Sequence, residues 1–126
     1  MSDASTINCP KCAASMVHIQ IDDVTIDHCT RCAGFWLDAL ELDRLRAAGA
    51  ARSIVKLQPA SAQPGPRKPM QCPRDNARLI DMALIDQPHI RYEACNTCGG
   101  MFLDGAELPD ALRFTLAERL RALLGR

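Results

Sequence analysis

Residues 16–21 alternate apolar side chains with His18 and Gln20, two aspartates interrupt at 22–23, and residues 24–28 alternate again. A period of two with a short polar break predicts a β-hairpin. The pattern recurs at residues 79–85 and 89–94, which predicts a second hairpin with its extra length taken up around Asp86-Gln87-Pro88. Each hairpin is followed by a helix-start signature. In Leu37-Asp38-Ala39-Leu40-Glu41-Leu42, Asp38 stands at the N-cap and Glu41 falls three residues later, as in a capping box. Leu37 and Leu42 are placed to form a hydrophobic staple. A helix is therefore expected over residues 38–48, with Gly49 as its stop. Helix initiation explains both acids without a paired-carboxylate catalyst.

The signature returns as Leu103-Asp104-Gly105-Ala106-Glu107-Leu108. Here Pro109 comes too late for the first helical position, so a short capped turn is expected before a fresh helix over residues 109–124. Leu108, Leu112, Leu116, Leu120 and Leu123/Leu124 form an apolar stripe on it, with Arg113, Arg119 and Arg121 mainly outside. The stripe predicts packing on the preceding unit or self-association. A basic amphipathic membrane helix is the alternative.

These parallels extend to a written repeat. Residues 29–42 and 95–108 align without a gap, from Cys29-x-x-Cys32 or Cys95-x-x-Cys98 through Leu-Asp-x-x-Glu-Leu. Each copy is preceded by a shorter motif, Cys9-Pro10-Lys11-Cys12 or Cys72-Pro73-Arg74-Asp75. The chain thus divides into a first unit at 1–50, with a loose start over 1–8, and a second at 72–108. Residues 51–71 form a linker, Pro-rich over 59–69, and 109–126 form the terminal helix. Residues 51–57 suit either a helix extension or a short strand.

With 126 residues shared between two units, neither can bury enough apolar surface to fold without a staple. The start of the chain lacks a signal-peptide pattern and no apolar run is long enough to span a bilayer, so a cytosolic protein with no membrane role is expected. There, paired Cys-x-x-Cys motifs more often bind metal than form structural disulfides. Seven cysteines, an odd number, also fit a disulfide framework poorly.

The first unit has the spacing C-x2-C-x16-C-x2-C, which suits a closed tetrahedral zinc site of Cys9, Cys12, Cys29 and Cys32. A redox dithiol, a rubredoxin-like iron site and free buried thiols are the alternatives. Lys11 and Arg31 stand where they can offset the negative charge of four thiolates. Phe35-Trp36 reads as an apolar plate against the hairpin and the metal turn, with stacking on a ligand as the alternative. The second unit reads C-x2-D-x19-C-x2-C, so Cys72, Asp75, Cys95 and Cys98 make a Cys3Asp set. His89 is a rival fourth ligand, and an empty or water-completed site is the third reading. Two zinc ions per chain are expected.

With the motifs set out, the sequence resembles the zinc-finger family named for the zinc ribbon of transcription initiation factor IIB. The resemblance rests on Cys9-Pro10-x-Cys12, then Cys29-x-x-Cys32-x-Gly34-x-Trp36-Leu37-Asp38-x-x-Glu41-Leu42. In the second unit it rests on Cys72-Pro73, Cys95-x-x-Cys98-Gly99-Gly100, Leu103-Asp104 and Glu107-Leu108. The departures are Ala13 and Ala33 for glycine, Phe102 for tryptophan and Asp75 for cysteine. The resemblance implies zinc binding and a small metal-stabilised α+β fold of two tandem zinc ribbons. Each ribbon is a β-hairpin with two knuckles, then a helix; the amphipathic helix at the C-terminus lies outside the resemblance.

Charge narrows the function. Fifteen basic and fifteen acidic residues cancel, and the five aromatics are thin supply for base stacking, so composition gives nucleic acid no support. The expected role is non-enzymatic: an interaction scaffold for a protein partner, in transcription or another regulatory assembly. Nucleic-acid binding is the second reading. A dithiol oxidoreductase or metal-dependent hydrolase is the third.

Overall fold

A computed structural model of the chain describes residues 6–49, 53–54, 56, 69–85, 87–105 and 107–112. The first hairpin consists of β1 (Val17–Ile21) and β2 (Val24–His28), paired in register from Val17–His28 to Ile21–Val24. Beyond it come a short strand β3 (Phe35–Leu37) and helix α1 (Glu41–Ala47). The second ribbon repeats the order with β4 (Ile80–Ala83), β5 (Arg91–Ala94), β6 (Met101–Leu103) and α2 (Glu107–Leu112).

The two ribbons are not beads on a linker. Their third strands pair antiparallel, with Trp36 opposite Phe102, and make one six-stranded sheet in the order β1-β2-β3-β6-β5-β4. Phe35-Trp36 is therefore a central strand, and Trp36 still packs against the metal turns as an apolar plate. Its period of two divides the molecule into layers. Phe35, Leu37 and Leu103 point into a core with Leu42 and Leu45 of α1 and Leu108, Ala111 and Leu112 of α2. Trp36 and Phe102 point the other way, into a second core that contains Cys9, Cys29, Cys72 and Cys95. Helices cover one face of the sheet and the knuckles cover the other.

Several expected boundaries move. The first helix begins at Glu41 rather than Asp38, after Leu40 in the left-handed region (φ 71°). Only half of the capping box forms: Glu41 Oε1 accepts from the Asp38 N–H at 2.7 Å, but the Asp38 carboxylate is engaged elsewhere. Pro109 does not break the second helix. It is the third residue of α2, within the first turn, where backbone N–H groups have no intrahelical acceptor. The stripe residues Leu116, Leu120, Leu123 and Leu124 lie outside the described residues, as do the prolines at 59, 64 and 66.

Both supposed flanks also enter the cores. Ile7 is buried and its carbonyl accepts from the Met16 N–H, as Met70's does from Leu79 in the second ribbon. Ile54 is fully buried against the helix side of the sheet. In the longer β4–β5 loop, the buried Gln87 accepts at Oε1 from Arg46 Nη2 of α1 at 2.9 Å. Arg46 Nε also donates to the Ala111 carbonyl of α2. Thus the extra loop residues fasten the ribbons together.

Candidate metal centres

Four knuckles present the metal-ligating side chains, and all four have the same backbone. The N–H of Cys9, Cys29, Cys72 and Cys95 each donates to the carbonyl five residues on, and each carbonyl accepts from the N–H four residues on. The residue after the second ligand, position five of each turn, is left-handed: Ala13 (φ 69°), Ala33 (φ 69°), Asn76 (φ 65°) and Gly99 (φ 82°). Such a turn brings position one and position four side chains to one side. N–H groups inside the turns point at sulfur, from Cys32 to Cys29 Sγ, Arg74 to Cys72 Sγ, Cys98 to Cys95 Sγ and Gly100 to Cys98 Sγ, at 3.3–3.4 Å. Donors aimed at sulfur favour the thiolate, the form a metal needs.

The hairpins bring these knuckles together in pairs. Cys9, Cys12, Cys29 and Cys32 form one group, and Cys72, Asp75, Cys95 and Cys98 the other, with ligand atoms within 4.8 Å of one another in each. Sulfur separations are 3.7 Å for Cys9–Cys32, 3.4 Å for Cys12–Cys29 and 3.7 Å for Cys72–Cys98. A tetrahedron with Zn–S bonds of about 2.3 Å has edges of about 3.8 Å, so the groups are sized for zinc. All seven cysteines are free thiols. Without a cation the first group cannot ionise fully: the hydrogen bond from Cys9 holds Cys32 down at about 5, and the same contact, with burial, pushes Cys9 far up. A dication removes that conflict.

Asp75 completes the second group. Its Oδ2 lies 3.3 Å from Cys95 Sγ, while Oδ1 accepts from the Ala77 N–H at 2.9 Å, which holds the carboxyl below the ordinary aspartate range. Unlike its counterpart Cys12, which is half-buried, Asp75 is exposed. His89 is exposed in the β4–β5 turn and does not join the ligand set. Among the described residues these two groups are the sites where three or more such donors converge.

The residues between the ligands act across the ribbon boundary. Lys11 Nζ, in the first knuckle, donates to Asp104 of the second ribbon at 2.7 Å. Reciprocally, Arg74 donates from Nε (2.7 Å) and Nη2 (2.9 Å) to the Asp38 carboxylate, and from Nη2 to the buried Asp27 at 3.4 Å. Asp38 Oδ1 also accepts from Trp36 Nε1 at 3.0 Å. This is why Asp38 does not cap its helix, and why Lys11 serves a partner carboxylate as well as the thiolates. Burial works against the Lys11 charge, but Asp104 outweighs it and raises its pKa. Arg31 is exposed on its knuckle.

The glycines complete the exchange. A Cβ on Gly100 would lie 2.3 Å from Trp36 Cζ2, and one on Gly34 would lie 2.4 Å from Phe102 Cζ. Each ribbon's aromatic sits on the other ribbon's glycine. Sequence reading missed this interlock, although one signal was visible: a basic residue follows the proline in both first knuckles, and an aspartate follows the leucine in both later motifs.

Two four-donor groups, each held by a hairpin and two knuckles, define a pair of zinc ribbons. The chain matches the transcription factor zinc-finger family of TFIIB-type zinc ribbons twice, over residues 8–48 and 71–113, and belongs to that family. Nothing among curated proteins or solved structures matches it. The protein is a zinc-binding one, with two groups fit to hold two ions.

Proposed function

We propose that the protein is a non-enzymatic interaction module for a protein partner, in transcription or another regulatory assembly, with its zinc ions serving architecture. The observation that carries this reading is the closure of both metal groups. Each already has four protein donors, three of the eight ligands being half-buried, four buried and one exposed, so zinc would have no vacant position for a substrate. Zinc-held thiolates are also poor redox groups, because the metal holds the electron pairs a dithiol would use.

The surface supports a protein partner over nucleic acid. The chain has no net charge, and Lys11 and Arg74, the basic residues of the two first knuckles, are committed to carboxylates. Among the described residues β4 is an edge strand exposed along its whole length, with Ile80 and Met82 half-exposed and Ile85 just beyond it fully so. An open edge with apolar side chains suits strand addition by an extended peptide.

The test uses the zinc-loaded chain carrying a photo-crosslinker at Met82. One protein species crosslinked in a zinc-dependent manner, and lost with Ile80→Lys, is expected. Binding to DNA or RNA with a steep salt dependence would move the reading to nucleic acid. Turnover of a disulfide or ester by the zinc-loaded chain would make it an enzyme.

A further inference from the structure

The two metal groups differ in one ligand and in access. Asp75 replaces a soft thiolate with a hard carboxylate that zinc binds less strongly, and it is exposed where Cys12 is half-buried. A cleft of about 900 Å³ runs between the two N-terminal knuckles, lined from both ribbons by Ile7, Cys9, Met70 and Cys72. Asp75 lines it; Cys12 does not. Water or a competing chelator thus reaches the second group at its weakest ligand.

That group is wired to the other ribbon from both its knuckles. Arg74 lies between Cys72 and Asp75, donates its own N–H to Cys72 Sγ, and holds Asp38 with two bonds. Asp38 in turn accepts from the Trp36 indole. From the other knuckle, Gly100 donates its N–H to Cys98 Sγ and forms the seat on which the Trp36 ring lies. Loss of metal would free both knuckles, and with them the clamp on Asp38 and the seat beneath Trp36. The first group has the corresponding lines to Asp104 and Phe102, but through a more buried pair.

We propose that the second group is an exchangeable zinc site whose occupancy sets the docking of the two ribbons through Arg74 and Gly100, so that the protein responds to available zinc. The first site keeps its ion throughout and holds its ribbon folded. The interaction-module reading does not depend on this, since a module with two permanent ions would serve equally well.

Trp36 is the single tryptophan of the chain and reports on the event directly. The experiment treats the full zinc-loaded chain with a chromophoric chelator, following zinc release by absorbance and Trp36 by its emission. Native mass spectrometry counts the ions that remain. Wild type is expected to release one equivalent at least about tenfold faster than the other, the ratio that about 1.4 kcal/mol produces. The tryptophan emission should shift to the red with that first equivalent. Asp75→Cys, which restores a four-thiolate set, should slow the fast equivalent to the rate of the slow one. Arg74→Gln should keep two release phases but reduce the emission change that accompanies the first.

Release of both ions in a single phase, or a fast phase that survives Asp75→Cys, would overturn the proposal. So would a first equivalent that leaves Trp36 unchanged. A chain isolated without any zinc would overturn both this proposal and the zinc-ribbon basis of the function. A crosslinking failure at Met82 would touch the interaction reading alone.

Discussion

The first and second ribbons share a frame and differ in how tightly they close it. In the first, Cys12 completes a four-thiolate group and Trp36 fills the sheet centre; in the second, an exposed Asp75 and the smaller Phe102 stand in those places. Three kinds of contact across the boundary are the same in both directions: basic residue to opposite aspartate, aromatic to opposite glycine, third strand to third strand. The difference teaches that one set of cross-ribbon contacts is served by two metal groups of unequal closure. The pairing accommodates Asp75 in place of a thiolate because its contacts come from residues between and after the ligands, which keep their places while the ion is bound. The largest test of that inequality is at the ligands. Cys29→Ser, at a fully buried donor, should abolish the first zinc and unfold the whole sheet, because structural zinc contributes on the order of 10 kcal/mol or more to folding. Asp75→Ala should lower the zinc count from two to one and retain most of the far-UV circular dichroism. A chain that unfolds equally in both variants would show the two metal groups to be equivalent.

The glycine seats come next. Gly100→Ala puts a methyl into the Trp36 ring and Gly34→Ala puts one into Phe102, where neither ring can move without disturbing the central strand pair. Each should cost about 2–3 kcal/mol in thermal or denaturant unfolding of the zinc-loaded chain. Trp36→Leu alone should cost about 3 kcal/mol through the cavity it leaves. Combined with Gly100→Ala the two penalties should fall short of their sum by about 1 kcal/mol or more, because the methyl then enters vacated space. Strict additivity would mean that the ring and the glycine are not in contact.

These seats also show where sequence reading stops. The ligand positions were legible because knuckle and spacing are local: two residues between donors, and a hairpin to return the chain. The left-handed turn after Cys12 and Cys32 was legible only as a departure, two alanines where glycine is usual. The Phe35–Leu37 strand was not legible, since three residues give too short a run for periodicity and its partner lies in the other ribbon. The Asp38 cap failed for the same kind of reason. Local propensity correctly joined Glu41 to the Asp38 N–H, but Arg74, distant in sequence, supplies a charged two-pronged donor that outcompetes the backbone for the carboxylate.

The two cross-ribbon ion pairs sharpen the comparison further, because their burial differs. The Lys11 and Asp104 side chains are 16% and 8% exposed, against 33% and 39% for Arg74 and Asp38. Lys11→Ala leaves a buried carboxylate without its cation and should cost about 2–3 kcal/mol. Arg74→Ala, after allowance for solvent screening, should cost about 1–2 kcal/mol. Denaturant midpoints at equal zinc loading decide the order. A larger loss for Arg74 would place the main lock at Asp38 and Asp27.

Glu41 of the first ribbon adds a test by pH, of a size comparable to the Arg74 pair. Burial pushes the Glu41 carboxyl up to about 7 from an ordinary 4.5, although the Asp38 N–H opposes it. A carboxyl raised on folding contributes stability that is fully present below 4.5 and is lost as pH rises through about 7. The loss comes to about 2 kcal/mol after discounting for partial exposure. His28, lowered by burial, runs the opposite way and loses stability as pH falls through its ordinary range. The difference between wild type and Glu41→Gln isolates the acid: the variant should gain relative stability from pH 5.5 to 8. Melting temperatures that stay parallel across that range would show Glu41 to be ordinary.

The knuckles give the smallest and most discriminating test, because one backbone turn is built four times with three kinds of residue. Position five of each is left-handed, at φ between 65° and 82°, and is filled by Ala13, Ala33, Asn76 and Gly99. Alanine in that region brings its Cβ against the following carbonyl, at about 1–2 kcal/mol, whereas asparagine tolerates it and glycine is free of it. Replacing alanine by glycine also loosens the unfolded chain, which returns part of the gain. Ala13→Gly and Ala33→Gly should therefore each stabilise the first ribbon by about 0.5–1 kcal/mol, and Asn76→Gly should change the second by less. Gly99→Ala should run the other way, and further, because its new Cβ would meet Ala39 at 3.0 Å. If the alanine variants instead lose stability, the first ribbon's knuckles are relaxed as they stand, and its tighter closure carries no backbone strain.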